Sequence, residues 1–397
     1  MSNSTAIVVG AGIGGLTAAY ALQRTGWQVR LYEQAPAIAP VGAAIGIAPN
    51  AVKALDHLGL GAALRDRGLR QEALEIRLRR GARIGRLPAS GLEHRYGASF
   101  YALHRAELHG LLMEGLDRDT LHTGHRAEAI GGGPGAATVT LRTAHGTTTE
   151  TADLVVAADG VGSRLRAALL PDYPGPTYAG YTVWRGIVPA ERAEPLGIPP
   201  VLSETWGSGA RFGVAPINDG QVYWFACESA PEHTRFEHDL GSLAARFQGW
   251  HDPVPGLLAA TPAETLLRHD VYYLKERLPG FVRGRVALLG DAAHAVTPDI
   301  GQGACLAIED AVTLAAAIED SGIDAGLRAY DTLRRPRTEG MARASGRIGR
   351  VLQTRNPAAA WLRNAIASAA PTALLMRSAG AALTWDPPLG ARTTRVR

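Results

Sequence analysis

The sequence predicts an α/β protein: a parallel-sheet domain, an antiparallel β-sheet inserted into it, and helices at the C-terminal end. Three observations carry this. The opening stretch Ala6 to Glu33, AIVVGAGIGGLTAAYALQRTGWQVRLYE, reads strand, glycine turn, helix, strand, acid. From about 175 to 275 the character changes to short alternating runs separated by turn signals. The chain then returns to a buried strand, VALLG, a second glycine-rich join and the helical run ACLAIEDAVTLAAAI.

Composition bounds what such a fold can do. At 397 residues, 46% apolar and 20% charged, the chain has room for one large or two coupled soluble domains. Its 41 basic and 37 acidic residues leave +4, scattered as in Arg77, Arg79, Arg80, Arg83 and Arg86, which reads as a solvated arginine-rich face. No basic tract interleaved with aromatics occurs, so nucleic acid is excluded as a partner. Cys227 and Cys305 fit neither metal-ligand nor CxxC spacing, which predicts no metal site and a disulfide-free, cytoplasmic protein. The N-terminus lacks the basic region of a signal peptide. The most apolar late stretch, Ala365 to Met376, has 12 residues including Pro371, too few to span a bilayer.

In the opening turn, Gly10, Gly12 and Gly15 have the spacing of a dinucleotide fingerprint. The first two glycines permit the sharp turn and the approach of a pyrophosphate, and the third permits close helix packing. The helix start offers free N–H groups and partial positive charge. Glu33, 18 residues past Gly15, stands where a carboxylate can accept hydrogen bonds from a ribose. The parallel-sheet domain is therefore Rossmann-like.

The loop QAPAIAPVGAAIGIAP follows; its small residues from Val41 to Gly46 would let a flat ring lie against the backbone, or simply connect two elements. Asn50 then opens an amphipathic helix through Leu55 and Leu58. Leu74 to Leu87 alternates like a half-buried strand, and the stretch from Leu103 to Leu108 begins a helix with Leu108, Leu111, Leu112 and Leu116 on one face. GGGPGA at 131–136 lies between two strand-like runs and reads as a hairpin turn, leaving a single dinucleotide fold. Leu154 to Ala158 is a buried strand leading to Asp159-Gly160, first of all a turn, within DGVGSRLR.

VLSETW, ARFGVAP and QVYWFACE, joined by Gly207-Ser208-Gly209 and Asn218-Asp219-Gly220, make an antiparallel meander. Alternation puts Arg211, Gly213 and Ala215 on one face, and Tyr223, Phe225 and Cys227 on one face of the next strand. Such a sheet is a candidate substrate lid. After VALLG comes Asp291, then Thr297 to Gly303, beyond the carboxyl end of a strand, where ligands of such sheets sit. Asp291 could equally cap a helix, and Asp299 could serve its turn. Helical residues fill Ala325 to Leu352 and an alanine-rich tail. The expected division is 1–74, 101–174 and 276–352 for the dinucleotide domain, 75–100 and 175–275 for the inserted sheet, and 353–397 for a C-terminal helical segment.

Four motifs now stand in order: GAGIGG with Glu33, HRAEL, DGVGSRLR and GDAAHAVTPDIGQG. Together, over residues 6 to about 340, they resemble the single-component flavoprotein monooxygenases of the para-hydroxybenzoate hydroxylase fold. WGSGARFGVAPINDGQVYW with TPDIGQG is most similar to the FAD-dependent urate hydroxylase type. The resemblance implies FAD as cofactor. Gly10, Gly12, Gly14, Gly15, Glu33 and Gln34 would hold its ADP half, with Ala44 and Arg105 also in contact. Asp291 would hydrogen-bond the ribityl chain, and Gly301, Gln302, Gly303 and Ala304 would flank the flavin ring. Asp159 is associated in the family with both FAD and the NAD(P)H donor, or is a structural turn. A helix N-terminus at the ring suits an anionic reduced flavin. Arg211, Tyr223 and Asp299 match positions that orient an anionic heterocycle and remove its proton.

The implied reaction uses NAD(P)H to reduce FAD, forms a flavin 4a-hydroperoxide with dioxygen, and puts one oxygen on an electron-rich aromatic or heteroaromatic ring. The alternatives are urate itself as substrate, a flavin oxidase or dehydrogenase without oxygen insertion, and a non-catalytic flavin-binding partner protein. A flavin halogenase is opposed by the lack of a WxWxIP segment. The alanine-, glycine- and arginine-rich composition favours a secondary metabolite over urate. Substrate, NADH or NADPH preference and oligomeric state are left open.

Overall fold

The computed structural model describes residues 4–38, 43–133, 135–236, 239–371 and 380–388. Its first layer is a six-stranded sheet in the order Val282–Arg283, Val286–Leu288, Leu154–Ala157, Thr5–Val9, Gln28–Tyr32, Leu121–His122. All neighbours are parallel except the terminal hairpin of Val282–Arg283 with Val286–Leu288. The central strands are apolar throughout because they are covered both by helices such as Ile13–Arg24 and by a three-stranded sheet of Arg126–Gly132, Ala137–Thr143 and Gly146–Ala152. Ile7, Val8, Val155 and Val156 are fully buried. The Ile13–Arg24 helix packs against the Gly303–Ser321 helix. That contact brings the first glycine turn beside the second: a Cβ on Gly14 would meet Leu289 Cδ2 at 2.9 Å and Ala307 Cβ at 3.1 Å.

The second layer is a seven-stranded sheet ordered Leu267–Tyr273, Thr177–Val188, Val222–Ser229, Ala210–Pro216, Val201–Trp206, Ala73–Leu78, Arg83–Pro88. Its register aligns Arg211 with Cys227, Gly213 with Phe225 and Ala215 with Tyr223. Arg185 aligns with Phe225, and Glu204 with Gly213. Residues opposite each other share a face, so Arg211, Tyr223, Arg185 and Glu204 all project from one side. The other side carries Trp184, Phe212 and Trp224, packed with Phe247, Trp250 and Leu257 under two short helices, Leu240–Arg246 and Val254–Ala260. On the polar side, Tyr223, Ile187 and Ala215 meet Ala102 and Ala44 of a separate three-stranded sheet ordered Ala44–Ile47, Tyr101–His104, Leu69–Arg70.

Several expectations are revised. The Leu74 to Leu87 stretch is a hairpin of two strands, and its first strand joins Val201–Trp206 in parallel, so the sheet is not a pure meander. Arg77, Arg83 and Arg86 are not simply solvated, since all three close on the buried Glu75 carboxylate at 2.6, 3.3 and 2.5 Å. Burial opposes that charge, but the guanidinium groups outweigh it and hold Glu75 below the usual carboxylate range. Asn50 is not a helix opener: the helix is Pro49–His57, and Asn50 is fully buried inside its first turn. Tyr101–His104 is a strand, with the helix starting at Arg105. GGGPGA joins two antiparallel strands, with Gly132 opposite Ala137; Pro134 lies outside the described residues. So do Val41, Gly42 and the later part of the Ala365 to Met376 stretch. Among the described residues no helix is long and apolar enough to cross a membrane.

Candidate active site

The four fingerprint glycines divide by what surrounds them. A Cβ on Gly15 would stand 1.8 Å from Gly10 O, and one on Gly10 would stand 2.4 Å from Ala158 O. Gly10 also has φ +98°, a conformation open to glycine. Gly12 has nothing within 4 Å of its Cβ position. It is the N-cap of the Ile13–Arg24 helix and offers no side-chain cap to the first-turn N–H groups. That is a cradle of donors facing open space, suited to a pyrophosphate. At its edge, Glu33 accepts hydrogen bonds from Ala11 N and Ala35 N, each at 2.8 Å. Ala11 O in turn meets His109 Nε2 at 2.6 Å. His109 escaped the sequence reading, although it lies one helical turn beyond Arg105. Gln34 is exposed beside Glu33, and Arg105 is exposed in the first turn of its helix.

The second glycine-rich join builds the other end of the site. Asp291 forms no hydrogen bond or ion pair within the described residues and borders open space, while its carboxyl is pushed up by burial. Its Oδ1 is 4.0 Å from where a Gly303 Cβ would stand. An unpartnered, desolvated acceptor there fits hydroxyl donors of a ribityl chain. The Gly303–Ser321 helix starts with no side-chain cap, so the N–H groups of Gly303 and Ala304 are available at the same place. Gly301 has φ +63° and free space at its Cβ position. Gln302 is buried and accepts from Asn50 Nδ2 at 2.9 Å. Asp159 spends both oxygens on its own loop, accepting from Ser163 Oγ at 2.5 Å and Leu165 N at 3.2 Å.

Beneath this join lies a charge network that sequence reading missed. Arg334, 1% exposed, pairs with Glu309 and Asp310, each at 2.6 Å. Arg337 also reaches Glu309 at 2.6 Å, His294 Nε2 reaches Asp310 at 2.5 Å, and Gly290 N donates to Asp310 at 3.0 Å. Burial opposes ionisation of Asp310, but His294 and Arg334 hold its carboxyl down at about 2. The network fixes Gly290 and His294 on either side of Asp291, and through Asn50 it also fixes Gln302.

These donors, the open glycine cradle and the free acceptor fit FAD, and comparison with known proteins agrees. The FAD binding domain family model matches residues 3–345. The chain belongs to that family. Aurachin C monooxygenase/isomerase of Stigmatella aurantiaca is 39% identical over 90% of this chain and 92% of its own length. An FAD-dependent urate hydroxylase of Klebsiella pneumoniae is 37% identical over 83% of this chain and 85% of its own. The crystal structure of Klebsiella pneumoniae HpxO complexed with FAD and uric acid superposes with a TM-score of 0.88, at 32% identity, over 96% of both chains. The protein is thus an FAD-dependent monooxygenase of the para-hydroxybenzoate hydroxylase fold.

The flavoprotein's inserted sheet brings two of the three expected catalytic residues together. Arg211, 1% exposed, reaches Asp299 at 2.5 Å and Glu204 at 3.3 Å. Tyr181 Oη donates to Asp299 at 3.1 Å, and Trp206 Nε1 donates to Glu204 at 2.8 Å. Burial opposes the Arg211 charge, but Glu204 and its acidic neighbours keep it firmly protonated, while Arg211 Nε has no partner. Asp299 is held from behind by Gly349, whose Cβ position is 2.2 Å from Asp299 Oδ2. Tyr223 stands apart from this cluster, among Ile187, Ala215 and Ala102, with Arg185 as its hydrogen-bond partner. Arg185 Nη1 also meets His269 Nδ1 at 3.3 Å. Glu204, Tyr181, Arg185 and His269 were absent from the sequence reading; the period-two alternation that found Arg211 would have found Glu204 two residues before Trp206.

Proposed function

We propose that the protein inserts one atom of dioxygen into an electron-rich aromatic or heteroaromatic ring, using NAD(P)H as donor. Bound FAD supplies the reduction and oxygen-activation chemistry. The observation carrying this reading is the position of Asp299: two residues before Gly301, buried, and bonded to Arg211 and Tyr181 from the facing sheet. It supports a pocket between the two layers, with the uncapped helix start on one side and the polar sheet face on the other.

In this reading the glycine turns and Asp291 hold the cofactor, and the sheet excludes water from the reacting ring. Asp299 accepts the ring's hydroxyl or N–H proton on a carboxylate oxygen, raising the ring's electron density. Arg211 holds the Asp299 carboxylate in place, and Tyr223 lends a hydroxyl to the substrate. Of the relatives, the aurachin C monooxygenase/isomerase supports a natural-product ring rather than urate. The test is anaerobic reduction of the holoprotein by NAD(P)H, followed by labelled dioxygen and mass analysis across a panel of phenols, quinolones and urate. Label in the product supports monooxygenation; hydrogen peroxide alone with every ring points to an oxidase.

A further inference from the structure

We propose that Arg185, not Arg211, is the cation that takes a negatively charged oxygen of the substrate, making Arg185 the residue that selects ring anions. This rests on the polar sheet face being the substrate pocket.

Arg211 and Arg185 project from the same face but differ in what they have left to offer. Arg211 is enclosed and already matched by two carboxylates, Glu204 and Asp299. Arg363, buried over the Trp206 ring, also acts on Glu204, so two guanidiniums face two acids and the cluster has no positive charge to spare for a further anion. Arg185 has no carboxylate partner among the described residues. Its partners are neutral side chains: His269 Nδ1 at 3.3 Å and the Tyr223 hydroxyl. Because Arg185 can only donate, His269 must accept at Nδ1 and carry its proton on Nε2. The imidazole is held neutral by burial and by the nearby positive charge of Arg185 and Arg105. Two of five guanidinium N–H groups are thereby used, and the others remain for a ligand.

Location joins Arg185 to the flavin side. Tyr223 packs with Ala102 and Ala44 of the three-stranded sheet whose strand Tyr101–His104 leads into Arg105, and Arg105 acts electrostatically on both His269 and Asp291. Arg185 is partly exposed, next to the edge strand Leu267–Tyr273, where a ligand can reach it. A carboxylate or phenolate held by Arg185 and Tyr223 would leave the opposite edge of its ring for Asp299.

The experiment compares 4-hydroxybenzoate with its uncharged analogue 4-hydroxybenzamide, read as perturbation of the flavin absorbance of the holoprotein. We expect the wild type to bind the anion more tightly. Arg185→Met should weaken binding of the anion about 10- to 100-fold, a charged hydrogen bond's worth, while changing amide binding less than about threefold. Arg185→Lys should restore part of the preference. A wild type without preference for the anion, or an Arg185→Met protein weakened equally toward both probes, would overturn the proposal. Either result leaves the monooxygenase reading to stand or fall on labelled product. FAD content equal to wild type checks that the variants are folded.

Discussion

Arg334 and Arg211 are each buried between two carboxylates, yet the two clusters are built to opposite ends. Around Arg334, the acids Glu309 and Asp310 also receive Arg337, His294 and the Gly290 N–H. All three guanidinium nitrogens are used, the last donating to Leu306 O at 3.2 Å. Around Arg211, two acids are bonded to one cation whose Nε is orphaned, with Arg363 acting on Glu204 from its own helix. A network whose central guanidinium has every nitrogen bonded, though His294 Nδ1 and Asn50 Oδ1 at its edges are unpartnered, serves as scaffolding, because any charged member removed leaves an uncompensated buried charge. An incompletely bonded buried cluster is costly by itself and makes sense where a ligand or a proton completes it.

The largest expected effect separates the two on stability. Asp310→Asn should cost about 3–5 kcal/mol, since Arg334 and His294 then lose their common partner. Asp299→Asn leaves Arg211 still paired with Glu204 and should cost less than Asp310→Asn. Urea unfolding of both variants measures the difference, and equal losses would abolish the distinction. Acid titration sharpens it. Asp310 is held near 2 against an ordinary 3.8, so its folded pKa is depressed. Its contribution of about 2 kcal/mol is therefore complete above pH ~4 and disappears as pH falls toward ~2. Asp310→Asn should flatten the wild-type loss of stability in that window.

The same pair separates on chemistry in the other direction. Asp299→Asn should lower the single-turnover rate of oxygen transfer by about 10²–10⁴-fold, the usual contribution of a positioned base. More of the dioxygen consumed should then emerge as hydrogen peroxide. A milder version is Gly349→Ala. Its methyl group would enter the space of Asp299 Oδ2, 2.2 Å away, and push the carboxylate off position. Rapid-quench measurement should show a rate loss of about 10²-fold, the scale of a misplacement near 1 Å. An unchanged rate would mean that Asp299 moves freely and its packing is incidental.

What the sequence disclosed follows the range of the interactions. Gly10, Gly12, Gly15 and Glu33 are local: one turn, one helix start and one strand end define them. The glycine-rich join places Asp299 and alternation places Arg211 on a face, but the family resemblance is what singles them out. What no single stretch could show is pairing across the fold. The Arg211 contact with Asp299 spans 88 positions, and Asn50 reaches Glu309 across 259. Two of the arginines that close on Glu75, Arg83 and Arg86, reach it from the neighbouring strand of a hairpin that alternation alone does not resolve, while Arg77 lies two residues along its own strand. Tyr223 is grouped with Arg211 only by the family resemblance. Its true neighbour, Arg185, lies on a strand whose register only the folded sheet reveals.

The smallest expected effect asks whether the scaffold-and-ligand distinction reaches the fingerprint itself. Gly15→Ala puts a carbon 1.8 Å from Gly10 O, against backbone that cannot yield, so the apoprotein should lose about 1–3 kcal/mol or more. Gly12→Ala meets nothing within 4 Å and keeps φ at −71°, so apoprotein stability should stay within about 1 kcal/mol. FAD titration should nevertheless show affinity lower by about tenfold, ~1.4 kcal/mol, because the methyl group occupies the pyrophosphate's path. If Gly12→Ala binds FAD like the wild type, the open space beside that glycine is not where the phosphates lie.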